Sequence, residues 1–155
     1  MPIFDFYFWT QETGPTLATS GPIIQVEVSM PSALEEFCTK KSVPIPPPQT
    51  GFALIDTGAS NSAIDESILQ QLSILPIDSI PSSTPSGAGR SFVYPTKVSF
   101  PALNVKDYGL SRVIGCNLKW KTADNKEIIM LLGRDLLRYM VLIYNGTNSS
   151  ITIGF

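Results

Sequence analysis

Hydrophobic and polar positions alternate in short runs along this chain, and the runs are broken often by proline and glycine. Ile24, Val26 and Val28 fall on one face and Gln25 and Glu27 on the other, so Ile23 to Val28 predicts a half-buried strand. Ile3 to Trp9 is strand-like and aromatic, and a loop around Gly14-Pro15 follows it. Ser32 and Glu35 have capping-box spacing, which predicts a short helix over Ala33 to Lys40. Pro44 to Pro48 must be extended and acts as a stiff connector. It delivers the chain to an apolar run, Phe52-Ala53-Leu54-Ile55, which ends at Asp56-Thr57-Gly58.

Beyond that glycine, Ser62 and Asp65 give a second capping signal. Ile64, Ile68, Leu69 and Leu72 recur at helical spacing, so a helix is expected from about Ala63 to Leu72. Pro81 to Gly89 is rich in Ser, Pro and Gly, and Ser91 to Tyr94 and Thr96 to Phe100 are strand-like. This suits either a mobile hairpin with a glycine tip at Ser86-Gly87-Ala88-Gly89 or a plain surface loop. Val113 to Leu118 and Ile128 to Leu132 are further apolar strands. Gly133-Arg134-Asp135 then leads into a short helix over Leu136 to Met140 that Asp135 could cap. Val141 to Tyr144, Asn145-Gly146 and Ile151 to Phe155 read as a last hairpin or as paired strands.

Composition narrows the chemistry. At 155 residues, 43% hydrophobic and 15% charged, the chain is expected to be one folded domain, too small for a two-lobed enzyme. Thirteen prolines and eleven glycines favour β structure over a helix bundle. A net charge of -2 gives no reason to expect nucleic acid or an anionic membrane as partner, and no segment is apolar for long enough to span a bilayer. Met1 to Trp9 has no basic start and carries Asp5, so it does not read as a signal peptide and a cytoplasmic location is expected. Asn145-Gly146-Thr147 and Asn148-Ser149-Ser150 fit the glycosylation pattern but are better read as turns. With no histidine and two isolated cysteines, Cys38 and Cys116, the usual zinc sets and Ser-His-Asp or Cys-His catalysis cannot be built. Neither a metal nor a cofactor is expected.

The remaining candidate chemistry is Asp56. An acid at the end of an apolar strand can cap the helix expected near Ala63 or close a turn. Strand, acid and glycine also occur in the phosphate loop of the sugar-kinase and actin type, but that fold needs two large lobes. The third possibility rests on the surroundings: a second apolar strand ending in Gly133-Arg134-Asp135, with the hairpin candidate between the two. From Gly21-Pro22-Ile23 to Phe155 these residues resemble the retropepsin-like aspartic proteases, the single-domain homodimeric relatives of pepsin. The resemblance is most specific at Ala53 to Ser60 and at Leu131-Leu132-Gly133-Arg134-Asp135-Leu136-Leu137. The hairpin region and the terminal Leu142 to Gly146 with Ile151-Thr152-Ile153 look most like bacterial members.

The resemblance implies a mainly β, closed-barrel acid-protease domain with one or two short helices, working as a homodimer on extended peptides or proteins. Asp56 would be catalytic, one from each chain. Thr57, Gly58, Gly133 and Arg134 would support the catalytic loop. Gly58, Ala59 and Ser60, with Ser86, Gly87, Ala88 and Gly89 on a flap, would bind substrate. The terminal strands, Ile151 to Phe155 and Ile3 to Trp9, would form the interface sheet. Residues 1–20 match no retroviral template except as an extension or interface strand, and 30–50 reads as an insertion. Many retroviral members place an acid where this chain has Ser60, so Arg134 must find another partner. The alternative within the same fold is a dimer that binds peptides but cuts poorly.

Overall fold

A computed structural model describes residues 1–84 and 87–154. In chain order the elements are β1 (Ile3–Tyr7), β2 (Trp9–Thr10), β3 (Gly14–Pro15), α1 (Leu17–Ser20), β4 (Ile23–Ser29), α2 (Ser32–Lys40), β5 (Gln49–Ile55), β6 (Ala63–Asp65) and α3 (Glu66–Gln71). There follow β7 (Asp78–Thr84), β8 (Gly87–Phe100), a 3-10 turn (Pro101–Leu103), β9 (Val105–Cys116), β10 (Trp120–Lys121), β11 (Glu127–Leu132), α4 (Arg134–Leu137), β12 (Val141–Asn145) and β13 (Ser150–Gly154).

Six strands close on themselves in the order β11-β5-β4-β8-β9-β6, with β6 returning to β11. The expected closed barrel is therefore present, and its helices are all short. Its interior is filled by the inward faces of these strands: Val26, Val28, Ala53, Ile64, Val98, Met130 and Leu132 are fully or almost fully buried. Burying an aliphatic side chain of this size is worth about 1.5–3 kcal/mol, so the barrel wall is also the main source of stability. No helix among the described residues is long and apolar enough to cross a membrane.

Tertiary pairing overrode the local signals at several points. Ala63-Ile64-Asp65, expected to open a helix, is instead the strand that closes the barrel. Ala63 pairs with Leu131 and with Ile114, and Ile64 pairs with Met130 and Gly115. The helix begins at Glu66, and Asp65 rather than Ser62 caps it by accepting from the Ser67 backbone N–H. The helix at Ser32 exists, but Pro31 occupies its N-cap with no side-chain cap bond. Glu35 is used elsewhere: its carboxylate pairs with Lys97 of β8 at 2.7 Å, which fastens the 30–50 insertion to the barrel wall. β4 and β5 pair directly, so that insertion is the connection of a wide hairpin.

Further along, Ser91–Tyr94 and Thr96–Phe100 are one strand running through Pro95, where the register shifts. The Val113–Leu118 strand starts earlier, at Val105, and stops at Cys116, because the Leu118 N–H turns to the Asp65 carboxylate at 2.8 Å. The β7–β8 hairpin is present, with Thr84 paired to Gly87. Gly87 and Gly89 therefore lie on an arm of it, and Ser86 lies outside the described residues.

β1, β13 and β12 form a separate three-stranded sheet. The terminal hairpin is as expected. β13 is paired along its length to β1 on one side and to β12 on the other, within its own chain. Neither of its edges is left for a partner. Phe155 lies outside the described residues.

Candidate active site

Asp56 leaves β5 where β11 still runs parallel beside it, and the Asp56 N–H donates to the Leu132 carbonyl at 3.0 Å. The chain then makes a tight loop back to β6. The Asp56 carboxylate is gripped from within this loop: Oδ1 accepts the backbone N–H of Gly58 at 2.9 Å and of Ala59 at 3.2 Å. Gly58 eases that approach, because a Cβ there would stand a tight 3.1 Å from the same oxygen. Oriented amides hold the acid in one position, and Asp56 stays partly exposed.

Arg134 buttresses the loop from behind. Its backbone N–H donates to the Ala59 carbonyl at 2.9 Å. One guanidinium nitrogen reaches the Thr57 carbonyl at 3.0 Å and the Gly58 carbonyl at 3.2 Å, and the other reaches the Ser60 hydroxyl at 2.8 Å. This answers the question of its partner. Lacking an acid at position 60, the chain satisfies the guanidinium with a hydroxyl and two carbonyls. Gly133 passes so close to the loop that a Cβ on it would lie 2.5 Å from the Asn61 carbonyl carbon. Only glycine fits.

Two residues with no functional reading in the sequence complete the clamp. The Ser62 hydroxyl donates to Asp135 Oδ1 at 2.7 Å and accepts the Gly133 N–H at 3.0 Å, while the Ser62 N–H bonds the same carboxylate. Both had passed for helix caps, since capping and loop-clamping use the same residue types. Gly133, not Asp135, sits at the N-cap of α4, which runs from Arg134 to Leu137 rather than from Leu136 to Met140.

Asp56 and Thr57 open onto a cleft of about 670 Å³ whose walls include Gly21, Leu54, Trp120, Leu142 and Tyr144. Trp120, Leu142 and Tyr144 could not be placed beside Asp56 from spacing alone. Of the expected site, Asp56, Thr57, Gly58, Ala59, Ser60, Gly133 and Arg134 are brought together. Gly87, Ala88 and Gly89 stand apart on the hairpin arm and are not among the residues lining this cleft. No group of acids and cysteines among the described residues is arranged to hold a metal ion.

Outside the loop, a second polar cluster stiffens the barrel. Asp65 is buried, which pushes its carboxyl up, but bonds from the Ser67 hydroxyl and from the Leu118, Ser67 and Lys119 amides outweigh this and hold it below the ordinary value. Burial, then the Glu66 carboxylate at 2.5 Å, pushes the Tyr94 phenol up to about 12. Burial also pushes the Cys116 thiol up to about 11, with the Asp65 and Glu66 charges adding to it. A thiol kept in that state is a poor nucleophile.

In sequence, the model of the family described as aspartyl protease matches residues 49–136, which run from the start of β5 to α4 and make up more than half of the chain. No curated protein matches the chain. Among solved structures, the chain is similar to the simian foamy virus (mac) protease in solution, at 14% identity and a TM-score of 0.46, over 76% of this chain and 93% of that one. The family rests on the sequence match, which spans both Asp56-Thr57-Gly58 and Gly133-Arg134. By that match the chain belongs to the aspartyl protease family, the kinship its two motifs led us to expect.

Proposed function

We propose that the protein is an aspartic endopeptidase whose catalytic pair is made by Asp56 from each of two chains. The observation that carries this is the Asp56 carboxylate, held by the Gly58 and Ala59 amides and opening onto a cleft, with one such motif per chain. Two carboxylates a few ångströms apart cannot both ionise, so they share one proton. The ionised Asp56 takes a proton from a bound water as that water attacks the peptide carbonyl. The protonated Asp56 gives its proton to the carbonyl oxygen. Collapse of the tetrahedral intermediate breaks the C–N bond, and the leaving nitrogen picks up a proton from the pair.

In this reading the fixed loop amides aim the acids without reorganisation, and Arg134 keeps the Thr57 and Gly58 carbonyls in place. The β7–β8 hairpin, with Gly87, Ala88 and Gly89 on its second arm, closes as a flap over an extended peptide and excludes water. Gly58, Ala59 and Ser60 border the substrate backbone.

The test is hydrolysis of a mixed peptide library at acidic and near-neutral pH, with Asp56→Asn as control. Cleavage by the native chain that disappears in Asp56→Asn supports the reading, and cleavage that persists unchanged overturns it. A folded dimer that binds peptides and never cuts them returns the binding-module alternative.

A further inference from the structure

The connection from β4 to β5 is longer than the fold requires. Val28 pairs with Gln49, so the strand ends lie side by side, and a turn of about two to five residues would join them. Residues 30–48 stand there instead. The first part is α2, which Cys38 and the Glu35–Lys97 ion pair fasten to the barrel. The second part, Val43-Pro44-Ile45-Pro46-Pro47-Pro48, has no regular secondary structure and lies on the surface. Val43 is 48% exposed and Ile45 43%, and of the four prolines only Pro46 is half-buried. These side chains contribute little to the core.

Their backbone is nearly predetermined. A proline ring fixes its own φ, and the residue before a proline is pushed into the extended region. Val43, Ile45, Pro46 and Pro47 each precede a proline, so the run is confined to the polyproline II form. That helix has three residues per turn, which puts Val43 and Pro46 on one ridge, Pro44 and Pro47 on the next, and Ile45 and Pro48 on the third. Both ends are held: the Val43 N–H donates to the Cys38 carbonyl at 2.9 Å, and the Gln49 side-chain amide donates to the Pro47 carbonyl at 3.0 Å. Lys40 and Lys41 stand exposed just before the run, and neither is in an ion pair among the described residues.

We propose that Lys41 to Pro48 is a docking strip for a partner domain of the SH3 type, whose groove is lined by aromatic side chains and flanked by acids at one end. Two aromatic slots take the apolar–proline pairs Val43-Pro44 and Pro46-Pro47, one turn apart. The acids meet Lys41, three residues before Pro44. Charge stands only at that end of the strip, since Gln49 and Thr50 follow the other, and this fixes the direction in which the groove is read. A run already held in the bound form gives up little entropy on docking. No residue of the strip lines the Asp56 cleft, and the seven residues of β5, about 20 Å long, lie between the two. The partner therefore holds the protein and leaves the cleft open.

The test is titration of the isotopically labelled full chain with a set of isolated SH3 domains that read basic-x-x-Pro-x-x-Pro peptides, with WW domains alongside. Saturable binding to an SH3 domain is expected, with amide shifts centred on Lys41, Val43, Ile45 and Gln49. Joint Pro44→Ala and Pro47→Ala should weaken it by about tenfold or more, because both slots lose their anchors. Lys41→Glu should weaken it by about threefold or more, an effect that shrinks as salt is added. Pro48→Ala, on the third ridge, should change it by less than about twofold. Should the double proline variant loosen the run, Lys41→Glu decides, since it leaves every proline in place. Binding by no SH3 domain, shifts lying elsewhere on the chain, or an affinity unmoved by both Lys41→Glu and the proline pair overturns the strip. Binding to WW domains alone, indifferent to Lys41→Glu, overturns the SH3-type assignment. Asp56→Asn should bind as the native chain does, so a failure of the protease reading leaves the strip standing.

Discussion

Ser62 and Asp135 are joined through both oxygens of one carboxylate: the Ser62 N–H bonds Oδ1 at 3.0 Å and Oδ2 at 2.9 Å, and the Ser62 hydroxyl bonds Oδ1 at 2.7 Å. The pair ties the end of the Asp56 loop to the start of α4. Ser62→Ala leaves the Gly133 N–H without its acceptor and the carboxylate short of a donor, in a place water reaches poorly. A loss of about 2–3 kcal/mol is expected, read by urea denaturation. Asp135→Asn should cost a similar amount, and the double variant should cost less than the sum.

Arg134 serves three acceptors through a planar fork, and a lysine ammonium cannot span them. Arg134→Lys should lower peptide cleavage by about tenfold or more through a loosened loop. Ser60→Asp gives the same guanidinium a carboxylate in place of a hydroxyl. It should raise stability by about 0.5–1 kcal/mol at low salt, a gain that fades as salt is added. Thermal melts at two ionic strengths check both signs.

Gly133→Ala places a methyl group 2.5 Å from the Asn61 carbonyl carbon and 2.8 Å from the Ser62 nitrogen, both backbone atoms that cannot rotate away. The cost should be about 3 kcal/mol, read as a shifted denaturation midpoint. A variant as stable as the native chain would mean that the loop sits farther from Gly133 than described.

Tyr94 and Asp65 set opposite pH limits. The Tyr94 phenol is raised from 10.0 to about 12 in the fold, so its contribution is complete below pH 10 and is lost as pH rises towards 12. Asp65 is lowered from 3.8, so its contribution is complete above that value and is lost as pH falls through the folded value. Tyr94→Phe should remove the alkaline limb of a stability-against-pH curve and leave the acid limb in place. It should cost about 1.5–3 kcal/mol at neutral pH by breaking the bond to Glu66.

Cleavage itself should peak at mildly acidic pH, where a carboxylate pair holds one proton. A rate rising steadily through pH 9 would contradict a shared-proton mechanism.

The barrel strands that alternate or run apolar, such as Ile23 to Val28 and Ile128 to Leu132, were legible in the sequence, because burial on a pleated wall leaves a period of two or an unbroken apolar run. The loop motif and its glycine–arginine support were legible as well, through residue types that few other sites need together. Ala63-Ile64-Asp65 was not. Its apolar residues fit a helical period with Ile68 and Leu72, and only contact with β9 and β11, distant in sequence, makes it a strand. Ser62, Glu35 and Asp135 were misread for a related reason: a short polar side chain before a helix does not show whether it bonds its own turn or a remote one. Trp120 and Tyr144 reach the cleft through sheet geometry, which no local pattern encodes.

β11 holds both ends of the Asp56 loop, parallel to β5 on the way in and antiparallel to β6 on the way out. The acid is therefore positioned by a strand that does not contain it. A limit on length follows from this: the stretch from Asp56 to Ser62 spans the gap across β11, and a change of length that slipped β6 by one residue would turn its side chains to the wrong face. The proline-rich connector before β5 answers to no such ruler. An insertion there should be tolerated by the fold far better than one among the seven residues from Asp56 to Ser62, whose span is set by a neighbour.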